Sequence, residues 1–223
     1  MWLLYWTILA AAIEPQFRAP VPETILFEER FDSKLREGWS WVDQKPDAWR
    51  LEADRLLVRV EPESVIKDES ILTRNLPRTE KPALIVEVCV ESEPTENFEN
   101  AGISIFHDER NYCALSREYL GTPEKGRTSL VMGGHKDGKK YPYAIVAWPA
   151  ERAWLRLIIS GGNVTGQARA SESDEWKTIG QFTEPSDVRR QVPKQVRMAA
   201  GLGPKSGEHW AAFTRFRILE AGQ

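Results

Sequence analysis

Apolar and polar residues alternate with a period of two along most of the chain. The alternation is clearest in Ala83–Glu91 and Ala101–His107. It is typical of β-strands that bury one side and present the other to solvent. The same pattern predicts further strands at Ile25–Phe31, Trp49–Glu52, Arg55–Val60, Tyr112–Tyr119, Arg127–Met132, Tyr141–Ala147, Trp154–Ile159, Val164–Ala170, Trp176–Phe182, Met198–Leu202 and Phe213–Leu219.

Turn-forming residues separate these segments. Asp108–Asn111 and Ser160–Asn163 indicate hairpin turns, and Gly133–Lys139 indicates another turn. Helical character is confined to one turn at Pro185–Arg190. Turn signals about every 8–12 residues, with almost no helix, predict an all-β fold. We expect a two-sheet antiparallel β-sandwich of jelly-roll type that forms one domain over residues 24–221.

The first 23 residues differ in character from the rest. Residues 1–13 are apolar, and residues 14–23 contain three prolines. A bilayer span needs about 20 apolar residues, so no transmembrane span is predicted. The length and the alanines at 10–12 fit the core of a signal peptide, although its positively charged start is missing. We predict a signal peptide at 1–13, an extended tether at 14–23, and a secreted or periplasmic domain.

The composition is that of a globular protein. Of 223 residues, 41% are hydrophobic and 28% are charged, and the formal net charge is −3. Domains that bind nucleic acid through its phosphates usually carry a strong excess of basic residues. Nucleic acid is therefore not expected as a partner.

Two cysteines and three histidines offer little support for a disulfide or a zinc site. Cys89 lies opposite Val86, Val88 and Val90 in the alternation, whereas Cys113 is expected to point inward. Thiols on opposite faces of a sheet cannot reach disulfide geometry, so two free thiols are predicted. The histidines are scattered and no CxxC occurs, which argues against structural zinc.

Several short motifs occur in an order that carries a family resemblance. They are Phe31-Asp32, Gly38-Trp39-Ser40-Trp41, Ala48–Glu52, Arg55–Val58, Asn100–Ile105, Asp108–Tyr112, Ala153–Leu157, Trp176–Gly180 and Phe213–Ile218. In this order they resemble the concanavalin A-like lectin/glucanase superfamily. In particular, the chain is similar over about residues 25–220 to a domain of unknown function related to the C-terminal β-sandwich of β-xylosidases. The resemblance implies two antiparallel sheets, one of them concave, and a sugar-facing role.

The resemblance also bears on calcium. Relatives often have an acidic residue in the final strand that helps to hold a calcium ion. Here that stretch, Ala212–Phe216, contains no carboxylate, and Asp32 is left as a candidate ligand. We therefore expect no cofactor, with calcium as a weakly supported alternative.

Carboxylate spacing offers little support for catalysis. Retaining glycosidases place two carboxyl groups about 5–5.5 Å apart, and inverting enzymes about 6.5–9.5 Å apart. Glu87 and Glu91 lie four positions apart on one strand, about 13 Å at the usual rise, with Cys89 between them. They are expected to be solvated, and no catalytic residue is assigned.

The outward-facing positions of several strands suggest a binding groove instead. Small residues beside Tyr112 leave room for a sugar, and Glu118 and Arg156 supply an acceptor and a donor at its floor. Similar domains tend to have an acid at the position of Glu118. The predicted ligand-binding residues are Ser104, Phe106, Tyr112, Ser116, Glu118, Arg156 and Gln167. Trp148 and Trp210 are candidate rim contacts, and His107 is expected to be solvated.

These observations favour an exported, non-catalytic carbohydrate-binding or interaction module. Its expected partner is an oligosaccharide or polysaccharide, and a separately encoded enzyme is a further candidate. Two alternatives stay open. One is a glycoside hydrolase-like enzyme that uses Glu118 with a second acid from a loop, and the other is a protein-docking structural sandwich, which would present a wide apolar patch.

Overall fold

The computed structural model describes residues 23–62, 70–122, 124–185, 187–188, 191, 193–205 and 207–221. This part of the chain contains fifteen strands and no helix. The strands are β1 (Glu23–Glu29), β2 (Trp39–Val42), β3 (Trp49–Glu52), β4 (Arg55–Val60), β5 (Ile71–Asn75), β6 (Ala83–Glu91), β7 (Asn100–Asp108), β8 (Asn111–Leu120), β9 (Arg127–Lys136), β10 (Lys139–Ala147), β11 (Arg152–Ser160), β12 (Asn163–Arg169), β13 (Lys177–Thr183), β14 (Gln195–Gly201) and β15 (His209–Ala221).

The strands form two antiparallel sheets. The first sheet has eight strands in the order β13-β12-β11-β6-β15-β4-β3, and β1 also pairs with β15. The long strand β15 pairs with β4 through its first half and with β1 through its second half. The second sheet has seven strands in the order β10-β9-β8-β7-β14-β5-β2. This arrangement confirms the predicted two-sheet β-sandwich.

Alternation along the strands places the core between the sheets. Ile103, Ile105 and Leu115 of the second sheet are at most 1% exposed, as are Val86 and Leu157 of the first. Removing such side chains from water is the main favourable contribution to folding. Both cysteines are free and buried.

Some strand boundaries differ from the predictions. The strands β2 and β5 were not predicted, and they pair with each other at the edge of the second sheet. The strand β9 runs on to Lys136, and the turn is the short Asp137-Gly138. Glycines at 133 and 134 suggested an earlier turn, but both pair with β8, so cross-strand hydrogen bonds outweigh the local preference for a turn.

Several predictions fall on residues outside the described part of the chain. The predicted signal peptide lies there, as does the tether except for Glu23, the first residue of β1. The predicted helical turn at 185–190 is only partly described, and residues 187–188 lie in a turn. None of the described residues forms a helix with the length and apolar character needed to cross a bilayer.

Candidate ligand-binding face

The outer face of the second sheet carries a row of rings at one end. Strand register aligns Phe106 with Tyr112, and Tyr112 with His135. The Phe106 and Tyr112 centroids are 6.4 Å apart at an interplanar angle of 29°, and those of Tyr112 and His135 are 4.8 Å apart at 42°. This row is one wall of the candidate site.

Small side chains lie next to this row and form a floor. Ser104 pairs with Ala114, which pairs with Gly133, and the next row brings Gly102 opposite Ser116. None of these residues extends far above the sheet, so the surface is low between taller neighbours. We call this surface the trough, and we define its floor by these five residues.

Glu118 lies at the opposite end of the trough. It pairs with Asn100 and Ser129. Burial raises the pKa of Glu118 to about 7, and the positive charge of Lys140 opposes this shift. Glu118 lies six positions after Tyr112 on β8, so the trough is about 20 Å long at the usual strand rise.

A cation that was not predicted completes the ring-lined end. Arg197 on β14 pairs with Ser104, and its guanidinium carbon lies 3.2 Å from the centroid of the Phe106 ring. Burial lowers the pKa of Arg197. The sequence carries a signal for its position, because Arg197 alternates with the buried Val196 and Met198.

Five of the seven predicted ligand-binding residues share this face: Ser104, Phe106, Tyr112, Ser116 and Glu118. Arg156 and Gln167 do not, so the prediction that Glu118 and Arg156 share one floor is wrong. Those two pair with each other on β11 and β12, on the outer face of the first sheet. Alternation gives the side of a strand that faces outward, but it does not give the sheet to which the strand belongs.

The Arg156 side chain is already occupied by ion pairs. Its Nη1 lies 2.9 Å from Glu23 Oε1, and its Nη2 pairs with Glu87. Glu87 is 1% exposed and lies 4.0 Å from Arg217, which makes the prediction of a solvated carboxylate wrong. A buried carboxylate needs such partners because its charge is costly to remove from water. Glu91 is half-buried between two arginines.

Arginine and tryptophan side chains cover this first-sheet face. Arg156 and Arg169 lie 4.2 and 4.4 Å from the Trp176 ring centroid. Arg169 and Arg217 lie 5.4 and 5.8 Å from that of Trp154. The alternating contacts form a ladder of cations and rings. The first sheet therefore covers its own outer face here, in contrast to the trough.

Three further aromatic positions depart from or refine the predictions. His107 is 5% exposed, and its Nε2 lies 2.8 Å from Glu184 Oε1, so the expectation of a solvated ring is wrong. Trp148 is buried, and its Nε1 donates to the Arg152 carbonyl at 2.9 Å rather than forming a rim. Trp210 lines a cleft of about 430 Å³ beside the first sheet, away from the trough.

Metal ligands are not gathered in the described part of the chain. No group of three or more His, Cys, Asp or Glu side chains suited to a metal occurs among those residues. Asp32 is exposed, and its Oδ1 accepts a hydrogen bond from the Ser33 amide at 2.8 Å.

The family model of the β-xylosidase C-terminal concanavalin A-like domain matches residues 28–217. The chain belongs to this family. The match confirms the predicted relationship to the β-xylosidase C-terminus, and it fits a carbohydrate-interacting module. No curated protein matches the sequence.

Solved structures share the fold of this concanavalin A-like domain. The GH43 protein BlXynB of Bacillus licheniformis has a TM-score of 0.72 at 18% identity, covering 86% of this chain and 39% of its own. Xylan β-1,4-xylosidase of Bacillus halodurans C-125 has a TM-score of 0.68 at 22% identity, covering 96% and 42%. A functionally unknown protein of Saccharomyces cerevisiae has a TM-score of 0.66 at 16% identity, covering 83% and 97%.

The coverage values separate these relatives into two kinds. This chain spans about two fifths of the two bacterial proteins but nearly the whole of the yeast protein. At these identities the likeness concerns the fold. The bacterial proteins thus contain a domain of this shape within a longer chain.

Proposed function

We propose that this domain is a non-catalytic carbohydrate-binding module whose ligand lies in the trough. Family membership supports a sugar-facing role, and the trough supports its location. Flat rings stack on the C–H faces of sugars, while polar groups orient hydroxyls. Monovalent affinity is expected between about 1 mM and 1 µM.

One observation carries the proposal, namely the small floor between Tyr112 and Glu118. Bulky side chains would fill the space that a sugar ring needs, and the small floor residues leave this space open. Tyr112 supplies a ring at one end, and Glu118 supplies a carboxyl group at the other. The outer face of the first sheet offers no equivalent region among the residues of its arginine–tryptophan ladder.

A glycan array followed by calorimetry tests this function. Tyr112→Ala and Glu118→Gln are each expected to weaken binding about tenfold or more. Trp210→Ala and Glu80→Gln are the controls, because both residues lie outside the second sheet and away from the trough. If a glycan binds and the trough variants behave like the controls, the trough is not its site.

A second candidate, glycoside hydrolysis, is favoured by one observation. A carboxyl group with a pKa of about 7 suits a general acid at neutral pH. Hydrolysis also needs a second carboxyl group nearby. Among the described residues, the charged group that acts on the pKa of Glu118 is Lys140. If the wild-type domain releases sugars and the Glu118→Gln variant does not, the domain is an enzyme rather than a non-catalytic binding module.

Export and an enzyme partner form the remaining part of the proposal. The apolar residues 1–13 support export to the periplasm or beyond the cell. The longer bacterial relatives support cooperation with a separately encoded enzyme, because they carry this fold beside further chain. Cell fractionation and N-terminal sequencing test export, and a cytoplasmic product that retains Met1 would contradict it.

A further inference from the structure

Arg197 has a different environment from the other half-buried arginines. Arg59 pairs with Glu61 at 2.7 Å, and Arg74 donates to the Glu37 carbonyl at 2.7 Å. The Nε of Arg197 is buried and has no hydrogen-bond partner. Its guanidinium lies over the ring of Phe106.

Such an environment is costly for a cation. Burial of a charge without a counter-charge is unfavourable, and stacking on a ring offsets only part of that cost. Burial lowers the pKa of Arg197, although the negative charge of Glu109 acts in the opposite direction. The guanidinium of such an arginine has N–H donors available, and their planar arrangement matches the two oxygens of a carboxylate.

The two ends of the trough differ in charge. Arg197 and Glu109 lie at the ring-lined end, whereas Lys140, which continues the row of Tyr112 and His135 across the sheet, acts through its charge on Glu118. The carboxyl group of Glu118 lies at the far end of the trough. A ligand with one negative group is therefore favoured in a single direction, with that group beside Arg197.

We propose that the ligand is an oligosaccharide containing uronic acid, and that its carboxylate pairs with Arg197. This inference rests on the proposed function of the trough. Ser104 and Ala114 leave room beside the guanidinium, so a sugar ring on the floor can bring its carboxylate to the fork. Glu109 acts on Arg197 only through its charge, and no described carboxylate forms an ion pair with the guanidinium, so the carboxylate of the ligand supplies that direct pair.

The test compares oligogalacturonate with its methyl ester, which has the same chain but no charge. Calorimetry should show binding of the acid about tenfold tighter than that of the ester, and the difference should shrink as salt rises. Arg197→Gln should remove this preference, and Arg197→Lys should retain part of it. Arg50→Gln is the matched control, since Arg50 also stacks on a ring, 4.0 Å from the centroid of Trp210, but belongs to the first sheet.

The outcomes separate this inference from the function on which it rests. Equal binding of acid and ester overturns the inference and leaves a neutral-sugar module. A preference for the acid that survives in Arg197→Gln overturns the role of Arg197. Failure to bind any glycan overturns both proposals. Circular dichroism and thermal unfolding establish that each variant is folded.

Discussion

Two ionisable residues at opposite ends of the trough lie in surroundings that disfavour their charged forms. Burial raises the pKa of Glu118 and lowers the pKa of Arg197. Among the described residues, neither Glu118 nor Arg197 has ion pairs like those that Glu87 forms in the first sheet. Polar groups held in this way are common at binding sites, because the ligand can supply the missing interaction.

Glu118 should make stability depend on pH. Its pKa is raised from 4.5 to about 7, so the folded state holds the proton more tightly than the unfolded state. The free energy of unfolding should therefore fall as pH rises from 4.5 to about 7, by up to about 1.4 kcal/mol per pH unit. Urea unfolding of wild type and Glu118→Gln across this range measures the effect.

The Glu118→Gln variant should show a flatter profile over the same range, because the glutamine amide does not titrate. Its stability relative to wild type should be greater above pH 7 than near pH 4.5. Parallel profiles for the two proteins would contradict the raised pKa.

At the scale of elements, alternation predicted which side chains face the core. It placed Ile103 and Leu115 inside and Tyr112 outside, and the structure confirms all three. It could not assign strands to sheets, which is why Arg156 was placed beside Glu118. Sheet membership depends on pairing between distant segments, and one sequence contains no direct record of that pairing.

Local composition also did not predict features that depend on tertiary contacts. The segment Trp39–Val42 is short and lies in polar surroundings, yet it pairs with Ile71–Asn75 as an edge strand. Arg197 was missed although its alternation was visible, because no motif marks a stacked arginine. His107 looked like a turn residue, and its burial depends on Glu184, which lies 77 positions away.

Gly102 allows close approach of β7 and β8 in the floor of the trough. A Cβ at this position would lie 2.6 Å from the Ser116 Cα and would meet the Leu115 carbonyl oxygen. Backbone atoms cannot move aside cheaply, so Gly102→Ala should lower the free energy of unfolding by about 3 kcal/mol. Chemical denaturation measures this loss.

Gly166→Ala is the matched comparison for this prediction. Its Cβ would lie 2.9 Å from the Met132 sulfur, which belongs to a flexible side chain. The expected loss is smaller, about 1 kcal/mol. A larger loss for Gly166→Ala than for Gly102→Ala would contradict the explanation.

At the scale of the whole molecule, the two outer faces of the sandwich differ. On the first sheet, ion pairs and stacked rings cover the face around Trp154 and Trp176, and a cleft lined by Trp210 lies beside the sheet, whereas the second sheet carries the trough. A buried polar contact also links the sheets, because His107 on β7 meets Glu184, which follows β13. The fold class and the family were accessible from the sequence, but this inter-sheet contact was not.

Loss of the inter-sheet contact should destabilise the whole sandwich. His107→Ala removes one hydrogen-bond partner of the Glu184 carboxylate, which is 1% exposed, and it should lower the free energy of unfolding by about 3 kcal/mol. His135→Ala, on the outer face, should cost about 1 kcal/mol or less. Equal losses in guanidinium denaturation would show that the contact between sheets contributes little.

The edge of the second sheet affects how molecules of this domain meet one another. The edge strand β10 exposes the apolar side chains of Ile145 and Val146. An exposed apolar edge strand can pair with a strand of another molecule. Its register shifts between Pro142 and Ala144, and proline has no amide hydrogen to donate. Lys139 adds positive charge at the start of the strand. Copies of the domain that are held close together should therefore remain separate rather than pair into a continuous sheet.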